Sequence, residues 1–195
     1  MEFLNLRGNL WWSRAGRLLP FAAAAWLAAL APAVGRAQSP SVEFAVKATY
    51  LYKFAPFVEW PAGTFRSSAD PLVLCVAGSD PVTDLVADAV KGQVVGGRAI
   101  DVVRLLPAAH DPRCHILYVA LKGAAAFAVL EKLRGTPVLT VTDAASDARA
   151  TGIVNFVVQD NRVRFEIDQR AAAENHLVIS SKLLSLASRV SPRPG

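Results

Sequence analysis

Short runs of wholly apolar residues alternate with helix signals along most of this chain, and that alternation restricts the fold more than any other feature. Leu72, Val73, Leu74, Cys75, Val76 and Ala77 form one such run, closed by Gly78. A strand with no polar side to turn toward water is covered on both faces, as strands inside a parallel sheet are. Asp80-Pro81 follows at once, an N-cap and an N1 proline opening a helix that runs through Val90. Residues 92–97 are a turn region, 99–106 and 114–120 read as strands, and 123–133 as a helix closed by Gly135. Residues 138–141 supply a fourth strand, and 153–158 with 163–167 flank Gln159-Asp160-Asn161-Arg162, a hairpin signal. Residues 169–175 and 180–190 are the last helices expected. The class predicted is α/β: a three-layer sandwich with a mostly parallel sheet, a C-terminal antiparallel hairpin and helices on both faces.

Ahead of the first strand, residues 41–58 read as one helix, with Ser41 as N-cap and Glu43 in the first turn. Its apolar positions surround most of the circumference, interrupted only by charged residues and Thr49. Such a helix buries more than one face, against its own core and against a partner, which favours a homodimer or a hetero-partner. Pro56 is expected to kink it, and Trp60-Pro61 to stop it.

The N-terminus reads as an export signal. Arg7, Arg14 and Arg17 precede an uncharged apolar run over residues 18–34, and Gly35-Arg36-Ala37 offers small residues at the cleavage positions. The run is short for a membrane span and Pro32 breaks its end, so a cleaved signal over residues 1–37 is expected rather than an anchor. No Cys follows the run, so lipid attachment is not expected. Loss of residues 1–37 leaves 17 basic residues against 15 acidic ones, and the net charge falls from +5 to +2. The basicity is mostly a targeting feature, and the remaining Lys and Arg lie scattered among acids, which sets nucleic-acid binding aside. Residues 38–195 then suit one periplasmic domain.

Compartment gives the cysteines their meaning. Cys75 and Cys114 are the only two, both on expected strands. In an oxidising compartment such a pair forms a disulfide, the alternative being two buried thiols. Cys114-His115 has no second Cys-His cluster, so no metal site is expected, and His110, His115 and His176 are scattered. There is no Gly-x-Ser-x-Gly, no Gly-x-Gly-x-x-Gly and no Walker sequence. Ser180-Ser181-Lys182 lacks the spacing of Ser-x-x-Lys and serves better as a helix cap. No cofactor and no catalysis are expected.

Four blocks carry a family resemblance. Residues 45–54, AVKATYLYKF, followed by FVEWP at 57–61, resemble the opening signature of the YfiR family of small periplasmic proteins. CHILYV at 114–119 is similar to that family's Cys-containing strand, and GIVNF at 152–156 to its Gly-x-Ile-Asn-Phe block. VRFEI at 163–167 and ISSKLL at 179–184 resemble its C-terminal strand and helix. The resemblance implies a periplasmic repressor that contacts the periplasmic sensor domain of a membrane-bound diguanylate cyclase, lowering cyclic di-GMP and biofilm formation. It also implies release by an outer-membrane lipoprotein or by reductive stress, and a tendency to dimerise. Cys75 and Cys114 match one family disulfide, whereas the second bridge of some members has no counterpart between residues 143 and 158. Phe165 and Glu166 fall in the segment resembling the partner-binding region.

Two other classes compete. A small-molecule binder reporting to a sensor kinase or transporter would hold its ligand at the strand carboxyl ends, near Gly78 and Ala120. A thiol oxidoreductase ranks last, because Cys75 and Cys114 are far from Cys-x-x-Cys spacing.

Overall fold

Proline decides where the first helix ends. The computed structural model describes residues 40–106, 111–144, 147 and 149–192; the expected signal peptide and His110 lie outside them. Helix α1 spans Pro40–Lys53, and a 3-10 turn, Ala55–Phe57, carries Pro56. Proline has no N–H to continue the α-helical ladder, so the expected helix over 41–58 stops short. Val58 and Glu59 become a short strand, β1.

Strand β2 is Leu72–Ala77, buried along its whole length, and α2 is Pro81–Val90. Asp80 caps α2 through a reciprocal box with Thr83, as its position before Pro81 predicts. There follow β3 (Val94–Val95), β4 (Arg98–Leu105), β5 (Ile116–Val119), α3 (Gly123–Lys132) and β6 (Leu139–Asp143). Strands β7 (Val154–Gln159) and β8 (Arg162–Asp168) form the hairpin. Asp160 and Asn161 both adopt positive φ, 48° and 58°, the two-residue turn that matches the twist of its strands. The chain closes with α4 (Gln169–Glu174), β9 (Val178–Ile179), α5 (Ser181–Leu184) and β10 (Arg189–Ser191).

Eight strands make one sheet in the order β10-β8-β7-β6-β5-β2-β4-β3, parallel from β4 through β7, with β7 and β8 antiparallel. Alternation along each strand sends side chains to two cores. Leu72, Leu74, Val76, Ile116, Tyr118, Leu139 and Val141 meet α1 and α2 on one face. Val73, Cys75, Ala77, Leu117 and Val119 meet Ala126, Val129 and Leu133 of α3 on the other. The fold is the expected α/β sandwich.

The C-terminus differs from expectation. Instead of one helix over 180–190, α5 lasts a single turn and β10 pairs in parallel with β8. Ser185 and Ser188 turn their hydroxyls to the carbonyls of Lys182 and Phe165, and the Ser188 amide also donates to Phe165. Serines that bond backbone in this way compete with the helix, and the open edge of β8 takes up the chain. Strands β1 and β9, each two residues long, pair antiparallel as Val58–Ile179 and Glu59–Val178.

Candidate functional site

The two cysteines are bonded. Cys75 lies mid-β2 on the α3 side and Cys114 two residues before β5, with their Cα atoms 5.7 Å apart. Parallel pairing of β2 with β5 brings the two positions together across 39 residues of chain. The bridge is buried under Ala126, Val129 and Leu133. A loop of that length gives about 4 kcal/mol in the chain-entropy account, before any strain is subtracted.

Phe165 and Glu166, adjacent on β8, face opposite ways. Phe165 is 5% exposed and sits in an aromatic cluster, 5.1 Å from Phe54 and 5.9 Å from Tyr50 between ring centroids. It pairs across the hairpin with Phe156, which also packs against Phe54 and Tyr50. Glu166 emerges on the other face, its side chain 25% exposed, with the Arg189 guanidinium of β10 at 3.6 Å. Arg162 and Arg164 share that face by strand alternation and are exposed. Of the pair, only Glu166 therefore presents its side chain at the surface.

The Gly152–Phe156 block is a structural knot. A Cβ at Gly152 would lie 2.8 Å from the Thr140 carbonyl oxygen, so only glycine permits that approach. The Asn155 amide accepts from the Gly152 N–H and from the Thr142 hydroxyl, and donates to the Gly152 carbonyl. These bonds tie the start of β7 to β6.

At the carboxyl ends of the strands, the backbones at Gly78 and Ala120 approach each other closely. Gly78 has φ +99°, and a Cβ there would be 2.9 Å from the Ala120 carbonyl carbon. Beside them, the Tyr118 hydroxyl donates to Asp80 at 2.7 Å. Burial, then the charge of Asp80, pushes that phenol far above its ordinary 10.0, so it remains a donor. A concavity of about 640 Å³ lies at the amino ends, where the loop after Trp60 meets Cys114, His115 and Pro137, and another of about 510 Å³ lies past the carboxyl ends of β5 and β6, lined by Gly123, Phe127, Asp147 and Arg149.

Sequence reasoning passed over Lys47. Its side chain is 1% exposed, with Nζ 2.6 Å from Glu43 on the same helix and 2.6 Å from Asp143 at the end of β6. Burial works against the charge, yet the hydrogen bonds to Asp143 and Glu43 outweigh it and hold the ammonium above its ordinary 10.5. The available signal was a lysine set among the apolar residues of α1. Its partner, 96 residues away, gave none.

Of the histidines, His176 is exposed just after α4 at φ 59°. His115 is buried, with its Nδ1 accepting the Val73 N–H. Among the described residues no three His, Cys, Asp or Glu side chains are grouped to hold a metal ion. No helix among them is long and apolar enough to cross a membrane. The arrangement can present a face and hold a shape.

Comparison with known proteins decides the assignment. A family model described as YfiR/HmsC-like matches residues 44–188. The chain belongs to the YfiR/HmsC-like family. The match runs from the first turns of α1 to the residue before β10, and includes both cysteines, Phe165 and Glu166. No curated protein matches the chain. YfiR-like proteins are periplasmic regulators of cyclic di-GMP signalling rather than enzymes, and are associated in general with a membrane diguanylate cyclase. The buried Cys75–Cys114 bridge fits the oxidising compartment of that family.

Proposed function

We propose that residues 1–37 direct export and are cleaved, and that the single mature domain, residues 38–195, represses a membrane-bound diguanylate cyclase. Repression acts through contact with the cyclase's periplasmic sensor domain, lowering cyclic di-GMP and with it biofilm formation. The repressor works as a homodimer and is drawn off by an outer-membrane lipoprotein. The family match over residues 44–188 carries this reading, and the disulfide is in keeping with it.

The contact surface includes Glu166 and the exposed face of the β7–β8 hairpin around it. Phe165 contributes from behind, by fixing the hairpin against Phe54 and Tyr50. The test is binding of the purified protein to the isolated periplasmic domain of the cyclase, measured by calorimetry. Glu166→Lys is expected to weaken binding by about tenfold or more, equivalent to roughly 1.4 kcal/mol. Its melting temperature should stay within a degree or two, because the Glu166–Arg189 contact is partly exposed and worth little to folding. Unchanged affinity removes Glu166 from the surface; no binding by the unsubstituted protein contradicts the reading itself.

A further inference from the structure

The loop between β1 and β2 is pinned by a stack of three side chains from distant parts of the chain. The imidazole of His115 lies 4.2 Å from the Phe65 ring centroid at an interplanar angle of 14°. The Arg98 guanidinium carbon sits 4.0 Å from the same centroid. Two planar groups at that distance cannot share one face of a benzene ring, so Phe65 is held between them. Arg98 also donates to the carbonyls of Ser67, Ser68 and Asp70, while Trp60 makes T-shaped contacts with Phe65 and His115 at 6.0 and 6.4 Å between ring centroids. Residues 60–70 thus depend on one imidazole and one guanidinium.

His115 fills this place only as a neutral ring. The Val73 N–H points at Nδ1 from 2.9 Å, which fixes the proton on Nε2, and the ring donates to the Thr64 carbonyl, a bond that favours the charged ring but is outweighed by its burial. A second proton on Nδ1 would confront the Val73 N–H, and the imidazolium would sit in a buried position. The charges facing the ring are Arg98 across Phe65, which opposes protonation, and Asp70 in the loop, which favours it. Asp70 is already engaged by the Ser67 hydroxyl and the Arg66 amide, with the Arg66 guanidinium 3.7 Å away. Arg113, in the turn preceding His115, is tied to Asp111.

We propose that His115 is an acid-sensitive latch: protonation of its Nδ1 breaks the Val73 bond and frees the loop over residues 60–71, opening the concavity at the amino ends of β2 and β5. Desolvation, with Arg98, keeps the imidazole below its ordinary 6.5, so the unfolded or unlatched chain takes up the proton first. The latch is closed above that value and loses hold as pH falls below it, toward the folded value. A periplasmic protein meets the pH of its surroundings, which makes the range reachable.

The test is hydrogen exchange by mass spectrometry on peptides covering residues 60–71, using protein expressed from the full-length gene and correcting for intrinsic exchange. Between pH 7.5 and 5 the loop should open progressively, by up to about tenfold per pH unit, the limit for uptake of one proton. His115→Asn keeps an acceptor near the Nδ1 position but cannot titrate, so its loop exchange should be flat with pH. A flat wild type, or an equal pH response in the variant, overturns the latch. Should the variant fail to fold, the imidazole of wild-type His115 is titrated by NMR. A shared midpoint with loop opening supports the proposal, and titration with an unchanged loop defeats it. Cyclase binding plays no part in either readout.

Discussion

Lys47→Met is expected to cost about 3–5 kcal/mol, the price of leaving one side of a buried ion pair without its counterion. Methionine preserves most of the volume, so the effect reads the charge. The cation sits 2.6 Å from both Glu43 and Asp143, and its removal leaves two carboxylates facing each other beneath α1. The melting temperature should fall by on the order of 10 °C in a domain of this size. A loss under about 1 kcal/mol would mean that the pair is dispensable, as some buried pairs are when both partners are replaced. The pH dependence has a defined sign. Because the Lys47 ammonium is held above its ordinary 10.5, its contribution is fully present below that value and disappears as pH climbs through the folded value. Alkaline unfolding should therefore move to lower pH in a Glu43→Gln variant, which weakens the hold on the cation.

The second large effect is Phe165→Ala, again about 3–5 kcal/mol, from lost transfer energy and the cavity left among Phe54, Phe156 and Tyr50. This variant separates two roles that adjacency in sequence had merged. Repression should fail in Phe165→Ala only in proportion to the folded protein lost, measured by denaturant titration alongside activity. Phe165→Leu, which keeps most of the packing, should retain it. If Phe165→Leu folds normally and cannot repress, the ring itself reaches the partner and the hairpin must shift to release it.

What could be read in the sequence was local. Leu72–Ala77 is a strand to the residue, because six apolar positions ending at glycine and followed by Asp80-Pro81 leave the chain little choice. The Asp160-Asn161 turn is equally legible, since those residues tolerate positive φ and the flanking runs are apolar. The disulfide was legible once export was inferred from the first 37 residues. Pairings that depend on distant segments were not. Strand β10 exists because β8 has an open edge, and nothing in Ser185-Leu186-Ala187-Ser188 announces it. Strands β1 and β9 are too short to carry a pattern and form because their segments meet. Lys47 with Asp143, and His115 with Phe65 and Arg98, are products of the fold. The opposed directions of Phe165 and Glu166 could have been read from the period of two, had the aromatic partners on α1 been placed first.

Intracellular cyclic di-GMP in a strain lacking this gene, with the cyclase intact, tests the central claim most directly. The account predicts a rise over the parent strain. It also predicts restoration by the full-length gene, and no restoration by a gene lacking codons for residues 1–37, whose product would stay on the wrong side of the membrane. Unchanged cyclic di-GMP on deletion, or full restoration by the truncated gene, would contradict it.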